Sequence, residues 1–262
     1  MNLDLSTRTA LVCGASQGLG AAVAKELSLL GANIILLART ESNLQKVQTT
    51  LDISKGQTHQ YIVGDTSKPT ELVEKIRSFL AEGNHIDILV NNSGGPAAGP
   101  ILETAAKEME TAFQSHLIVS HLLAQTIVPY MKQTGFGRII NIVSTSIKQP
   151  INGLGISNTV RAAVANWAKT LANEIGVYGI TVNNVLPGYT NTDRLDYLFS
   201  KQADGADVSK EEILQRTLAM IPAGRLGEPE EFGAAVAFLC TPAAAYINGI
   251  NLPVDGGRLG AL

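Results

Sequence analysis

A cluster of glycines between a strand-like and a helix-like run constrains this chain more than any other feature. Gly14-Ala15-Ser16-Gln17-Gly18-Leu19-Gly20 follows the apolar run Thr9-Ala10-Leu11-Val12-Cys13 and leads into Ala21-Ala22-Val23-Ala24-Lys25-Glu26-Leu27. Glycine at such a junction lets the backbone approach a bound phosphate closely. The helix that follows presents free N–H groups and the positive end of its dipole to the anion. The segment implies a bound nucleotide without saying what is done with it.

The rest of the chain supplies the frame. Short apolar runs at 10–13, 33–38, 60–63, 86–90, 137–143, 181–186 and 250–254 alternate with helix-length segments, among them 41–51, 70–81, 104–132, 156–176 and 228–240. Near-continuous apolar strands separated by helices predict a parallel sheet covered on both faces. The expected fold is α/β, a single doubly wound Rossmann-type domain with a seven-stranded parallel sheet. A length of 262 residues, with 45% hydrophobic and 16% charged residues, suits one large domain over 1–262. Residues 190–222 are polar and interrupt the alternation. Their place just after a strand's carboxyl end favours an insertion over a substrate site against a plain surface excursion.

Composition excludes several classes. A net charge of −3 gives no electrostatic case for nucleic acid or an anionic membrane as partner. Cys13 and Cys240 have no neighbouring cysteine, which argues against a disulfide framework or a metal site. No apolar run approaches the roughly 18 residues of a membrane span. The opening Met1-Asn2-Leu3-Asp4-Leu5 lacks a basic stretch followed by an apolar core, so a cytoplasmic setting is expected.

The glycine spacing is Gly-x-x-x-Gly-x-Gly, a weak signal alone. It is joined in order by Asn91-Asn92-Ser93-Gly94, Arg138-Ile139-Ile140-Asn141-Ile142-Val143-Ser144, Pro187-Gly188-Tyr189-Thr190-Asn191-Thr192-Asp193, Pro222-Ala223-Gly224-Arg225-Leu226-Gly227-Glu228-Pro229 and Val254-Asp255-Gly256-Gly257. In this order the set resembles the short-chain dehydrogenase/reductase family from end to end, particularly its 3-oxoacyl-acyl-carrier-protein-reductase-like members. The resemblance implies a nicotinamide dinucleotide on the carboxyl edge of the sheet. Gly14, Ser16, Gln17, Gly18, Leu19 and Gly20 would hold the pyrophosphate and adenosine ribose. Asp65 and Thr66 would meet the adenine, and Asn92 and Gly94 would line the adenosine side. Pro187, Gly188, Thr190 and Thr192 would surround the carboxamide. The helices 104–132 and 156–176 would pair with copies in a homotetramer or homodimer.

The end of the second strand indicates which nicotinamide. A free ribose 2′-hydroxyl favours an acidic partner there, a 2′-phosphate a basic one. Ile34-Ile35-Leu36-Leu37 runs into Ala38-Arg39-Thr40, with no carboxylate. The Arg39 guanidinium can grip a phosphate through two donors, with Ser16 and Thr40 adding hydroxyls. NADP(H) is therefore preferred, with NAD(H) as the alternative.

The family pattern then breaks. A serine after the fifth strand, a tyrosine thirteen residues on, a lysine four beyond that and an asparagine on the preceding long helix form the family's proton relay. Here the positions hold Ser144, Ser157, Arg161 and His116. A serine hydroxyl is a far poorer acid than a phenol, whose pKa is about 10. Arg161 can carry charge and hold the ribose, but it does not deprotonate. Ser157 and Arg161, four apart on a helix, share one face. Four groups could supply the proton: His116, expected to titrate near neutral pH; Lys148; Tyr189; or a water held by Ser144 and Ser157. His116 and His121 are five apart and make no metal pair on one helix face, and no catalytic metal is expected.

Two functions of different class follow. One is an NADP(H)-dependent oxidoreductase acting on a small carbonyl or alcohol substrate with an altered relay. The other is a catalytically silent nucleotide-binding sensor or assembly protein. The changed positions are all polar, where a decayed site would more often hold Phe, Ala or Leu, and this favours the enzyme. The loop 95–100 and the segment 193–220 are the expected walls of the substrate site.

Overall fold

The computed structural model describes residues 1–261. Seven strands form one parallel sheet: β1 (Thr9–Cys13), β2 (Asn33–Ala38), β3 (His59–Val63), β4 (Ile88–Asn91), β5 (Gly137–Ile142), β6 (Ile180–Pro187) and β7 (Asn251–Val254). Their order is β3-β2-β1-β4-β5-β6-β7. The chain reverses direction across the sheet between β1 and β4, and the crevice outside the strands' carboxyl ends at that switch point is where such folds bind ligands.

Nine α-helices are present among the described residues: α1 (Gly18–Leu29), α2 (Glu41–Gln48), α3 (Pro69–Ala81), α4 (Ala106–Phe113), α5 (Val119–Thr134), α6 (Gly155–Ile175), α7 (Asp193–Ala206), α8 (Lys210–Leu218) and α9 (Pro229–Cys240). The period of two along β1 divides the core. Ala10 and Val12 pack with Val23, Leu27, Leu44, Phe232 and Val236 from α1, α2 and α9. Leu11 and Cys13 pack on the other face with Leu72, Ile76, Leu123, Ile127 and Ala168 from α3, α5 and α6. Both faces are covered, which is why these strands read as unbroken apolar runs.

A ladder of amides, buried at Asn91, Asn141 and Asn184, pins the register of the sheet's second half. Asn91, Asn141, Asn184 and Asn251 are directly paired across β4, β5, β6 and β7. Asn91 Nδ2 donates to Asn141 Oδ1 at 2.9 Å, Asn141 Nδ2 to Asn184 Oδ1 at 2.9 Å, and Asn184 Nδ2 to Asn251 Oδ1 at 2.8 Å. A slip of one residue would turn these amides to the opposite face and strand buried donors and acceptors.

Two expectations are revised. The helix predicted over 104–132 is broken. It starts at Ala106 after a short 3-10 turn, and residues Gln114–Ile118 form a π turn between α4 and α5. The polar segment 190–222 carries two helices, α7 and α8. Their apolar residues Leu195, Phe199, Ala203 and Ile213 form a small core of their own with Tyr189 and Leu226. The hydrophobic spacing that builds this core lies among lysines and aspartates, which masked it in the sequence.

At the glycine loop, Gly14 (φ +60) and Gly18 (φ +55) adopt left-handed backbone, a conformation costly for side chains with a Cβ. Gly20 is required for a different reason: a Cβ there would lie 2.2 Å from the Gly14 carbonyl oxygen. Replacing Gly20 with Ala is expected to cost on the order of 1–3 kcal/mol by overpacking. Gly205→Ala, in α7 with nothing within 4 Å of the added carbon, should instead stabilise by about 0.5–1 kcal/mol. Urea unfolding of the two variants measures this, and equal effects would overturn the packing account.

Candidate active site

The helix α1 begins at Gly18 with no side-chain cap from Gln17 and no acidic residue in its first turn. Its first N–H groups therefore need an acceptor, and an anion such as a pyrophosphate fits them. The loop is braced from behind, where Asn92 Nδ2 donates to the Gly14 carbonyl oxygen at 3.3 Å. In front of it stands Thr192, whose Cγ2 would lie 3.6 Å from a Cβ on Gly18. Ser16, Gln17 and Leu19 complete the turn at the mouth of the cleft.

On one flank, Arg39 and Thr40 leave the end of β2 and are exposed. Asp65 follows β3. Partial burial works to raise its carboxyl pKa, but hydrogen bonds from Ser67, together with the charges of Arg39 and Lys68, outweigh it and the net shift is downward. Both Ser67 bonds fall on Oδ1, from the backbone N–H at 2.9 Å and the hydroxyl at 2.8 Å. On the other flank, Pro187 ends β6 and Gly188 donates its N–H to the Val254 carbonyl at 2.9 Å. A Cβ at Gly188 would lie 2.5 Å from Asp255 Cα, so only glycine fits. Thr190 is buried and bridges to Gly227. The Thr192 hydroxyl accepts from the Leu195 N–H at 3.3 Å as the cap of α7.

The four relay positions are held by three elements. His116 sits at the centre of the π turn, the kind of helix irregularity that recurs at functional sites. Its Nδ1 is 2.7 Å from the Ser93 hydroxyl in the loop after β4. Arg161 rises from α6, and its Nη1 donates to the carbonyls of Ile142 at 2.8 Å and Val143 at 3.0 Å, at the end of β5. Ser144 follows at once, with Oγ accepting from the Ser146 N–H at 3.1 Å and its own proton available to a ligand. Ser157 stands one turn before Arg161.

Beneath these groups lies a cavity of about 20 Å³, lined by Asn91, Ser93, His116, Asn141 and Arg161. It is large enough for one water, with polar groups to hold it. The Asn91 Oδ1 atom, at the end of the amide ladder, is buried with no hydrogen-bond partner among the described residues. Cys13 also borders this space, but burial pushes its thiol up to about 12 and leaves it inert.

The expectation that His116 titrates near neutral pH is corrected. Burial, and then the positive charge of Arg161, push it down to about 3, against a weaker opposing hydrogen bond with the Gly94 backbone. At neutral pH the ring is uncharged. It can pass a proton between hydrogen-bond partners but holds no imidazolium to donate. Burial first, and then the nearby Arg194, lower Arg161 to about 10, so its guanidinium stays charged. Tyr189 packs against Phe199, with ring centroids 6.1 Å apart, and under the Arg258 guanidinium at 4.7 Å. Lys148 closes the 3-10 turn after Ser144.

The sequence motif at 91–94 gave roles to Asn92 and Gly94 but none to Asn91 or Ser93, and Arg194 had none either. Ser93 and His116 are 23 positions apart, and nothing in that spacing signals their contact.

A family model described as enoyl-(acyl carrier protein) reductase matches residues 14–258. The chain is 33% identical to the 3-oxoacyl-(acyl-carrier-protein) reductase of Vibrio cholerae, over 97% of this chain and 98% of that protein. It is 34% identical to the enzyme of the same name from Escherichia coli, with the same shares covered. Among solved structures, L-sorbose reductase from Gluconobacter frateurii, in complex with NADPH and L-sorbose, superposes with a TM-score of 0.92 at 30% identity over the whole of both chains. With the sheet order and the motif series, these matches place the chain in the short-chain dehydrogenase/reductase family, as a 3-oxoacyl-acyl-carrier-protein-reductase-like member.

Proposed function

We propose that the protein is an NADP(H)-dependent oxidoreductase that moves a hydride between nicotinamide and the carbon of a small carbonyl or alcohol compound, without a tyrosine acid. The observation that carries this reading is the cleft itself. An uncapped helix N-terminus faces Thr192 on one side, and a charged Arg161 stands beside Ser144 on the other. The NADPH held by the sorbose reductase supports the choice of cofactor, as does Arg39 standing where an NAD-type site would place a carboxylate.

Bound nicotinamide would supply or accept the hydride. Gly14, Ser16, Gln17, Gly18, Leu19 and Gly20 hold the pyrophosphate side. Asp65, Thr66, Asn92 and Gly94 line the adenosine, Pro187, Gly188, Thr190 and Thr192 bound the carboxamide, and Arg161 meets the ribose. Ser144 donates to the substrate oxygen, and the charge of Arg161 stabilises negative charge developing there. In the reducing direction the proton passes to that oxygen through a water between the Ser144 and Ser157 hydroxyls, which is reprotonated from bulk solvent. The neutral Ser93–His116 pair orients the hydrogen bonds behind it. A silent nucleotide-binding protein is the second reading, favoured by the missing phenol at 157 and the uncharged His116.

Three outcomes test these roles. Binding titrations should find NADP(H) bound more tightly than NAD(H), and Arg39→Ala should lose roughly 10–100-fold for NADP(H) alone; wild-type protein binding NAD(H) as tightly would remove the cofactor preference. Across a broad carbonyl and alcohol panel, followed by nicotinamide absorbance, turnover should appear and Ser144→Ala should lower kcat/KM by about 10²–10³-fold. Tight cofactor binding with no turnover on any member would favour the silent reading. His116 should remain neutral from pH 8 to pH 5 by imidazole NMR. Because its folded pKa of about 3 lies below the usual 6.5, the unfolded chain binds the extra proton, and the stability this provides is full above pH 6.5 and lost as pH falls towards 3. His116→Gln should flatten that part of the stability profile; a titration near 6.5 would refute the assignment.

A further inference from the structure

Among the described residues, four of the nine arginines have a carboxylate partner, Arg8 with Asp87 and three with glutamates. Arg77, Arg216 and Arg225 each pair with a glutamate. Arg161 and Arg194, beside Ser144 and the loop after β4, have no carboxylate within ion-pair distance among the described residues, and neither do Arg39, Arg138 and Arg258.

Arg194 is the second residue of α7, and its side chain spans the cleft. Its Nη2 donates to the Pro96 carbonyl at 2.9 Å, in the loop after β4. Gly95 leaves the room for it, since a Cβ there would lie 3.1 Å from Arg194 Nη2. The Tyr197 ring supports the guanidinium from its own helix at 5.4 Å. Nothing about α7 rewards a cation at this point, because a helix N-terminus is the positive end of its dipole. Arg161 approaches from α6 and uses only Nη1 on the Ile142 and Val143 carbonyls, which leaves further donors of its planar fork for a ligand. The two charges are near enough for Arg194 to lower the pKa of Arg161. Like charges held over one cleft without a counter-charge oppose each other, and a fitted anion offsets that repulsion by attracting both.

We propose that Arg194, crossing from α7 to Pro96, and Arg161, rising from α6, bracket a carboxylate of the substrate, so that the protein selects oxo acids or hydroxy acids over their uncharged counterparts. The inference rests on the oxidoreductase reading above and names the substrate class for that site. Guanidinium is suited to the task because its parallel N–H donors match the two oxygens of a carboxylate. Arg161 sets the end near the reacting carbon. Arg194 sets the outer end, on the loop and helix that wall the cleft. A second source of the same chemistry is near, since Thr192 lies two residues before Arg194 and faces the glycine loop. The arginine could instead serve the dinucleotide pyrophosphate, and the experiment separates the two.

The test measures binding, so it does not depend on finding the reaction. The protein loaded with NADP(H) is titrated with a panel of short aliphatic oxo acids and with the matching primary amides, followed by ligand-observed NMR. The acids should bind at least roughly tenfold more tightly than the amides. Arg194→Gln should bring the two classes close to parity with the affinity for NADP(H) unchanged, and Arg194→Lys should restore part of the preference by returning the charge. Circular dichroism of both variants checks that α7 still forms. Acids and amides binding alike to the wild type, or neither class binding, would overturn the proposal. A Gln variant that loses NADP(H) affinity instead would also overturn it and assign the guanidinium to the pyrophosphate. Failure of NADP(H) to bind the wild type would defeat the oxidoreductase reading alone. The acid–amide comparison on the cofactor-free protein would then still decide the arginine pair, by the same criterion.

Discussion

The amide ladder from Asn91 to Asn251 is the constraint on which the site's geometry depends. Four side chains in direct register, linked by three hydrogen bonds, tie β4, β5, β6 and β7 together. Those ends carry Asn92, Ser144, Pro187 and the tail after β7, which are the parts that meet at the cleft. Apolar packing alone would tolerate small slides between strands. A chain of amides does not, because displacing buried Asn141 or Asn184 costs two partners in a low-dielectric interior. The ladder also ends in an unshared oxygen, Asn91 Oδ1, at the edge of the cavity under His116. The same device that sets the register thus brings an acceptor up to the site.

Charge in the cleft is organised with equal economy. Arg161 is half-buried against strand carbonyls and lends its field in two directions. It adds to the burial that keeps His116 neutral on one side and meets the charge of Arg194 on the other. An arginine at this position therefore touches more than one neighbour. It brings a wider, permanently charged donor fork into a pocket where the neighbouring histidine can no longer hold a proton. Ser93 and His116 are intelligible together, since a neutral imbalance-free hydroxyl–imidazole contact suits a place already dominated by a guanidinium.

The fold was legible to a large degree, and for a physical reason. Strands buried on both faces must be apolar throughout, so runs such as 33–38 and 137–143 stand out, and all seven lie within a few residues of the observed strands. The glycine loop was legible because backbone geometry demanded it at Gly14 and Gly18. The positions of Ser144, Ser157, Arg161 and His116 were read from the sequence against a fixed spacing. Their electrostatics were not. The ionisation of His116 depends on burial and on Arg161, 45 positions away in the chain and adjacent in space. Arg194 was hidden for the same reason: its partner Pro96 lies 98 positions away. Helices α7 and α8 were missed because their small core is built from a few apolar residues scattered among charges.

The π turn at Gln114–Ile118 has a consequence for how this chain tolerates change in length. An α-helix advances about 100° per residue, and a π turn accommodates one residue more than the regular helix needs. It lets Ala112, before the turn, pack against Ile156 and Val160, while Val119 and Leu123, after it, pack against the sheet. The segment is thus a stored single-residue insertion, and the two helices it joins are phased independently. Removing one residue here would not shorten a helix so much as rotate one half of it against the other. One of the two buried faces would be turned to solvent, and His116 would be carried away from Ser93.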